Sequence, residues 1–264
     1  MKTSIGKSAT KRKDFFQIGS LVIGVLCAVG LTQCLTLWSL EKSFVAQIST
    51  RLEKEELIEQ PDSCLAFVQL AANTILESTH GRMRVSSAIN DSWLLPLSPT
   101  LSMAVFGQGA CGNISLLTVE VFDNLGKEVK AVQVLNAEGG TMHVIVEVQM
   151  ECGTVFVDPL YAWVYQYENK PVQSEDLKSK WTNFIHGAPS GLVRFPVNDN
   201  LRYTNWSSLG VFAQPMKKLI SLTIGRDNID EFSLRSVLPG FYETRIISWS
   251  LVLLALFVVR IKLS

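Results

Sequence analysis

Residues 15–40 (FFQIGSLVIGVLCAVGLTQCLTLWSL) form a run of 26 residues without a charge. Such a run leaves a chain few ways to fold in water. About 20 consecutive apolar residues suffice for a helix to cross a bilayer, so this run is expected to be a transmembrane helix. A cleaved signal peptide would carry a core of about 7–15 residues ending in small side chains. The run here is longer and ends in LTLWSL, which reads as an anchor. A second uncharged run, 246–259 (IISWSLVLLALFVV), has 14 residues between Arg245 and Arg260. It reaches spanning length if Arg245, Arg260 and Lys262 extend their charged ends to the interfaces. The competing reading of that run is a buried core helix. Cys27 and Cys34, inside the first run, read as helix-packing residues.

Lys2, Lys7, Lys11, Arg12 and Lys13 precede the first run, and Arg260 and Lys262 follow the second. Basic residues flanking membrane helices stay on the cytoplasmic side. Both termini are therefore expected in the cytoplasm, and 41–245 in a periplasm or extracellular space. The formal net charge of zero conceals an imbalance, since 41–245 holds 17 basic and 23 acidic side chains. A nucleic-acid partner would call for a basic surface, and this segment offers the reverse. The expected organisation is a basic cytoplasmic tail (1–14), a transmembrane helix (15–40), a stalk helix (41–60), a core domain (61–180), a C-terminal extension of the extracytoplasmic domain (181–245), and a second transmembrane helix with a short basic tail (246–264).

Within the stalk, 46–60 (AQISTRLEKEELIEQ) combines helix-forming residues with a mixed-charge face, as a solvated helix would. Pro61-Asp62-Ser63 ends it, and Asp62 or Ser63 can cap the next helix. That helix, CLAFVQLAANTILEST, sets Leu65, Val68, Ala72, Ile75 and Leu76 on one face, with Gln69 as the stripe's polar interruption. Residues 85–106 read as a loop with one short helix over 99–106. A helix over 111–124 follows, stopped at Gly126. Strands over 128–135 and 142–149 are joined by NAEGG, a hairpin connection by its turn residues. Cys152-Gly153 leads into a third strand, 154–157, which ends at Asp158-Pro159. Residues 161–167 can continue the sheet, Glu168-Asn169-Lys170-Pro171 form a turn, and Ser174 can cap a further helix. Residues 186–207 read as irregular, and 209–223 as a helix interrupted near Pro215.

Three residues in this order carry chemistry. Cys111 opens an apolar helix behind the Gly-rich GQGACG loop, His143 starts a strand, and Asp158 ends the next one. An unassisted thiol near pKa ~8.5 supplies little thiolate at neutral pH. A helix N-terminus lowers that pKa, and so does an imidazole that takes the proton and later returns it. His143 also needs orientation, which an aspartate accepting from its second nitrogen provides. Antiparallel strands of this length bring the start of one beside the end of the next, so His143 and Asp158 can be neighbours. Gly107, Gly109 and Gly112 let backbone N–H groups approach a substrate oxygen, and Gln108 can add a side-chain donor to that oxyanion hole.

The pieces Gly109-Ala110-Cys111-Gly112, His143-Val144-Ile145-Val146-Glu147-Val148 and Val157-Asp158-Pro159-Leu160-Tyr161 resemble the transglutaminase-like superfamily over roughly 61–180. The resemblance implies an α+β, papain-like core, with N-terminal helices packed on an antiparallel sheet, here flanked by two transmembrane helices. It also implies a Cys-His-Asp triad, in a superfamily of transamidases, peptidases, amidases and some inactive relatives. Gly112 stands where many members carry an aromatic residue, and Thr154-Val155-Phe156 where a tryptophan is common. Both departures leave the acyl acceptor, water or amine, open.

Singly, Cys111 reads as a small buried hydrophobe, His143 as a sheet histidine and Asp158 as a strand-end turn residue. Their joint occurrence in a compatible order points to catalysis. Neither a cofactor nor a metal is expected. The chain has no dinucleotide-type glycine loop, and three scattered histidines without a close C-x-x-C pair do not make a zinc site. Asn90, Asn113 and Asn205 each open a glycosylation sequon, a weak pattern. Outside the two runs the cysteines are Cys64, Cys111 and Cys152. Cys64 and Cys152 can pair and leave Cys111 reduced, but a fully reduced set of three is equally allowed. The functional reading is a membrane-anchored cysteine peptidase or amidase, or a transamidase, acting on a peptide or protein substrate with an amide bond. Two other classes stay open. One is a catalytically inactive, membrane-tethered peptide- or glycan-binding module, which a disulfide through Cys111 would favour. The other is a subunit of an envelope or export assembly with further membrane partners.

Overall fold

A computed structural model describes residues 5–59, 63–79, 100, 111–135, 140–172, 177, 188–189, 201–226, 229, 232–234 and 240–263. The loop over 107–110 with Gln108, the helix expected over 99–106 (Thr100 excepted), the helix expected after Ser174 (Leu177 excepted), and His80, His186, Arg82 and Arg84 lie outside these residues. The chain divides into two units, Met1–Glu41 with Pro239–Ser264, and Lys42–Leu238.

The first unit holds helix α1 (Ile5–Glu59) up to Glu41, the helix running on into the second unit, and helix α5 (Phe241–Leu263). Both are long and apolar enough to cross a membrane. Leu21, Val25, Leu26, Leu251, Leu254 and Phe257 are exposed along them, which suits a lipid environment and not the buried core helix that competed for 246–259. The side chains that are buried mark a seam. Cys27 and Cys34, seven residues and two turns apart, are both buried. A Cβ on Gly30, one turn on, would stand 3.0 Å from the Trp249 indole, so the ring packs where only a glycine leaves room. Further along, Trp38 Nε1 donates to Glu243 Oε1 at 2.7 Å.

The second unit is a layered α+β structure. Helices α2 (Cys64–Ser78) and α3 (Cys111–Asn124) precede three long antiparallel strands, β1 (Val129–Leu135), β2 (Thr141–Met150) and β3 (Gly153–Asp158). Short strands β4 (Trp163–Val164) and β7 (Leu201–Arg202) complete a sheet of order β4-β3-β2-β1-β7. Strands β5 (Gln166–Tyr167) and β6 (Lys170–Pro171) form a separate hairpin. Its turn residues Glu168 and Asn169 both have positive φ, 49° and 58°, the backbone that a two-residue hairpin of this hand requires.

Alternation along the strands sends two sets of side chains to opposite faces. Val146, Val148, Val155, Val157 and Val164 pack with Leu52, Val68, Ala72 and Phe122 of the helices. On the other face Val132, Val134, Ile145 and Phe156 pack with Tyr165, Val172 and Leu177. Ser63 is the N-cap of α2, its hydroxyl accepting from the Ala66 N–H at 3.3 Å. Gln69, the polar interruption of that helix's stripe, donates to the Ala162 carbonyl at 2.6 Å and so holds a turn residue with φ of 47°. Gly126, with φ of 71°, ends α3 as expected, the Lys127 N–H returning to the Phe122 carbonyl.

Three expectations change. The 46–59 stretch is the last part of α1 and is not solvated all round, because Ile48 and Leu52 are buried in the core of this unit, as is Val45 just before it. Its charged residues occupy the outer face, where Arg51 pairs with Glu55 and Glu77. Leu201–Arg202, read as irregular, pairs with β1. Two residues show no period, and their register is held by Arg202, which donates to Gln133 Oε1 and Thr141 Oγ1. The helix expected over 209–223 is a 3-10 segment (Trp206–Phe212) followed by α4 (Ala213–Ile224). The break lies at Gly210 (φ 53°, ψ −126°), while Pro215 sits in the first turn of α4, where its missing N–H costs no helical bond.

Candidate active site

The ladder between β2 and β3 ends at Val146 and Val157, so the first residues of β2 run past it with one edge open. Backbone groups there need other partners, and the start of α3 supplies them. Ser115 Oγ donates to the Val144 carbonyl at 3.0 Å, and the Val144 N–H reaches the Cys111 sulfur. The first turn of α3 is thereby fastened to the residue after His143. Ile114, Leu117 and Val121 press the rest of the helix against Val45, Ile48 and Ile75.

Asp158 is the next residue of β3 after its last ladder pair, and by alternation it falls on the same face of the sheet as Ile145 and His143. His143 Nε2 lies 2.5 Å from Asp158 Oδ2, and both side chains are buried, at 1% and 0% exposure. Asp158 Oδ1 accepts from the Leu160 N–H at 3.0 Å, so the turn through Pro159 holds the carboxylate in place. The Tyr161 ring stands 6.2 Å from the imidazole. With Nε2 directed at Asp158, Nδ1 is the nitrogen left for the Cys111 thiol, whose charge is coupled to that of the same ring.

Burial alone would hold the Cys111 thiol protonated. The His143 hydrogen bond and charge, with the N–H groups of Val144 and Gly112, outweigh it and bring the thiol below its ordinary value. Burial would likewise lower the imidazole, but Asp158 and Cys111 reverse the sign and raise it to about 9. Together these shifts favour a thiolate beside an imidazolium whose proton is available for transfer. Tyr165, deeply buried in the cluster below the site, has its phenol pushed well above its usual range by burial and by the Asp158 charge, so it stays neutral.

The structure thus brings together Cys111, His143 and Asp158, while Gln108 lies outside the described residues. It adds Ser115, which the sequence reading placed only in a sequon and which is buried against β2. Its spacing, one helical turn after Cys111 on the same side, was the available signal. Cys64 and Cys152 form a disulfide across 88 residues of sequence, with Cα atoms 6.3 Å apart, and Cys111 is a free thiol of intermediate exposure. Among the described residues, no three His, Cys, Asp or Glu side chains come together to hold a metal.

No protein-family profile matches the chain, and no curated protein does. The chain is similar to a solved structure described as "Crystal structure of a TGase", with a TM-score of 0.33 and 14% identity, over 54% of this chain and 36% of that one. The chain therefore spans just over a third of that structure's length.

Proposed function

We propose that the protein is a membrane-anchored cysteine acyl hydrolase or transamidase of transglutaminase-like fold. The observation that carries this reading is the line of contacts from Cys111 through His143 to Asp158. In this reading the Cys111 thiolate attacks the carbonyl carbon of an amide, and the electron pair moves onto the carbonyl oxygen. The donors proposed from the sequence for that oxyanion are the Gln108 side chain and backbone N–H groups beside Cys111. His143 then delivers its Nδ1 proton to the leaving amine as the tetrahedral intermediate collapses to a thioester, while Asp158 holds Nε2–H and stabilises the charged ring. Water or a second amine, deprotonated by His143, attacks the thioester and releases Cys111. Hydrolysis of a peptide or protein amide is favoured over cross-linking, because no residue marks an amine-acceptor site.

The Cys64–Cys152 disulfide supports placing this unit outside the cytoplasm, where such bonds persist. The basic segments flanking the two spans then lie on the cytoplasmic side. A free Cys111 supports an enzyme over a binding module that has lost its chemistry. The test is labelling of the full chain with a thiol-reactive acyl probe. Labelling is expected at Cys111 and is lost in Cys111→Ala; label retained in that variant would show that another residue is the nucleophile.

A further inference from the structure

Outside α1 and α5, five large apolar side chains are exposed among the described residues: Tyr167, Val211, Phe212, Leu219 and Leu222. Four of the five fall on one short stretch, the end of the 3-10 segment and α4. Val211 is 85% exposed and Leu222 83%. Helix α4 (AQPMKKLISLTI) buries no residue at all. A surface helix that buries no residue would be expected to be polar on every exposed side. This one is sharply two-sided. At 100° per residue, Phe212, Pro215, Leu219 and Leu222 fall on one side, and Gln214, Lys217, Lys218 and Ser221 on the other.

The polar side carries charge of one sign. Between Trp206 and Ile224 there are two lysines and no acidic residue, in a segment of the chain that is acidic overall. Lys217 Nζ stands 5.4 Å over the Trp206 ring, so its cationic end is held beside an aromatic side chain that itself favours membrane interfaces. An exposed apolar face, a basic polar face and low net hydrophobicity are the features of a helix that lies in the plane of a bilayer surface. The chain also holds two helices long and apolar enough to cross a membrane, and in sequence α4 precedes one of them, α5.

We infer that α4 is an interfacial helix that seats on the anionic surface of the bilayer spanned by α1 and α5. Phe212, Leu219 and Leu222 enter the acyl boundary, and Lys217 and Lys218 meet the headgroups. This rests on the membrane reading of the two spans and not on the chemistry at Cys111.

The test uses the full chain, reconstituted into vesicles that contain a photoactivatable phospholipid, with cross-links mapped by mass spectrometry. Vesicles of phosphatidylcholine alone are compared with vesicles containing phosphatidylglycerol. Lipid adducts are expected on α1 and α5 in both, and on the stretch 211–222 most strongly with the anionic lipid. Replacing the apolar face (Phe212→Ser, Leu219→Ser and Leu222→Ser together) should cut adducts on that stretch by about tenfold or more, since the apolar area that enters the acyl boundary is lost. Adducts on α1 and α5 should be unchanged, and Cys111 labelling serves as the check on folding. Lys217→Glu with Lys218→Glu, the first half-buried beside Trp206 and the second exposed, should remove the preference for anionic vesicles. Adducts on α1 and α5 with none on 211–222 would overturn the inference, as would equal labelling of that stretch in both vesicle types. Cross-links from 211–222 to a second copy in place of lipid would also overturn it, by making this face a dimer contact. An absence of lipid adducts on α1 and α5 would instead refute the membrane reading itself.

Discussion

Two helices of this protein begin at a cysteine, and the two cysteines have opposite fates. Cys64 opens α2 behind a Ser63 cap and is closed into a disulfide with Cys152. Cys111 opens α3, remains a free thiol, and has its pKa lowered by His143 and by two backbone N–H groups. The helix N-terminus is common to both, so it is not what separates them. The difference comes from what the sheet presents. Cys64 meets the turn between β2 and β3, which carries another sulfur, whereas Cys111 meets the open edge of β2, which carries an imidazole. A thiol at a helix start has its pKa lowered where an imidazole is brought to it, and is closed into a disulfide where a second thiol is.

The largest expected break of this contrast is removal of the base. His143→Ala should slow acylation of Cys111 by at least about a hundredfold at neutral pH, because the thiol loses its proton acceptor. A rate within threefold of wild type, measured by probe labelling against time, would mean the helix start alone suffices. Next comes the pH dependence. The imidazolium proposed as the acid is lost as pH rises through about 9, so turnover of an acyl substrate should fall on that limb. Asp158→Asn removes the charge that raises His143 and should move the limb to lower pH. An unmoved limb would assign it to another group. The same linkage has a sign for stability: a histidine raised from ~6.5 to about 9 stabilises the fold fully below ~6.5, and that contribution disappears as pH rises through about 9.

The disulfide side of the contrast should break differently. Cys64→Ser with Cys152→Ser should cost about 2–4 kcal/mol of stability in denaturant titration, since the bond closes a long loop. Cys111 labelling of the folded fraction should stay unchanged. Loss of labelling without loss of stability would tie the disulfide to the site instead of the fold. The smallest effect is expected at Ser115→Ala, which removes the hydrogen bond from α3 to the Val144 carbonyl and should cost about 1 kcal/mol. A matching slower acylation of Cys111 would show that this bond positions the helix start.

The contrast between the cysteines also shows which properties were legible in the chain. The two long apolar helices, the antiparallel run of β1, β2 and β3, the stop at Gly126 and the turn at Glu168-Asn169 follow from local pattern. So does the order of Cys111, His143 and Asp158. These rest on charge-free length, on side-chain period and on glycine or asparagine at positive φ, all of which act within a few residues. The choice of Cys152 as the partner of Cys64 stayed open, because disulfide pairing depends on which Cα atoms the finished fold brings within reach. The inner face of α1 at Val45, Ile48 and Leu52 was hidden under a mixed-charge sequence, since a helix shows its buried stripe only once a neighbour defines the inside. Strand β7 was too short to have a period, and Ser115 too ordinary a residue to single out. Residue order could set Cys111, His143 and Asp158 in sequence. Only the early end of the β2–β3 ladder, which opens the edge at Val144 to the first turn of α3, decided that the thiol and the imidazole would meet.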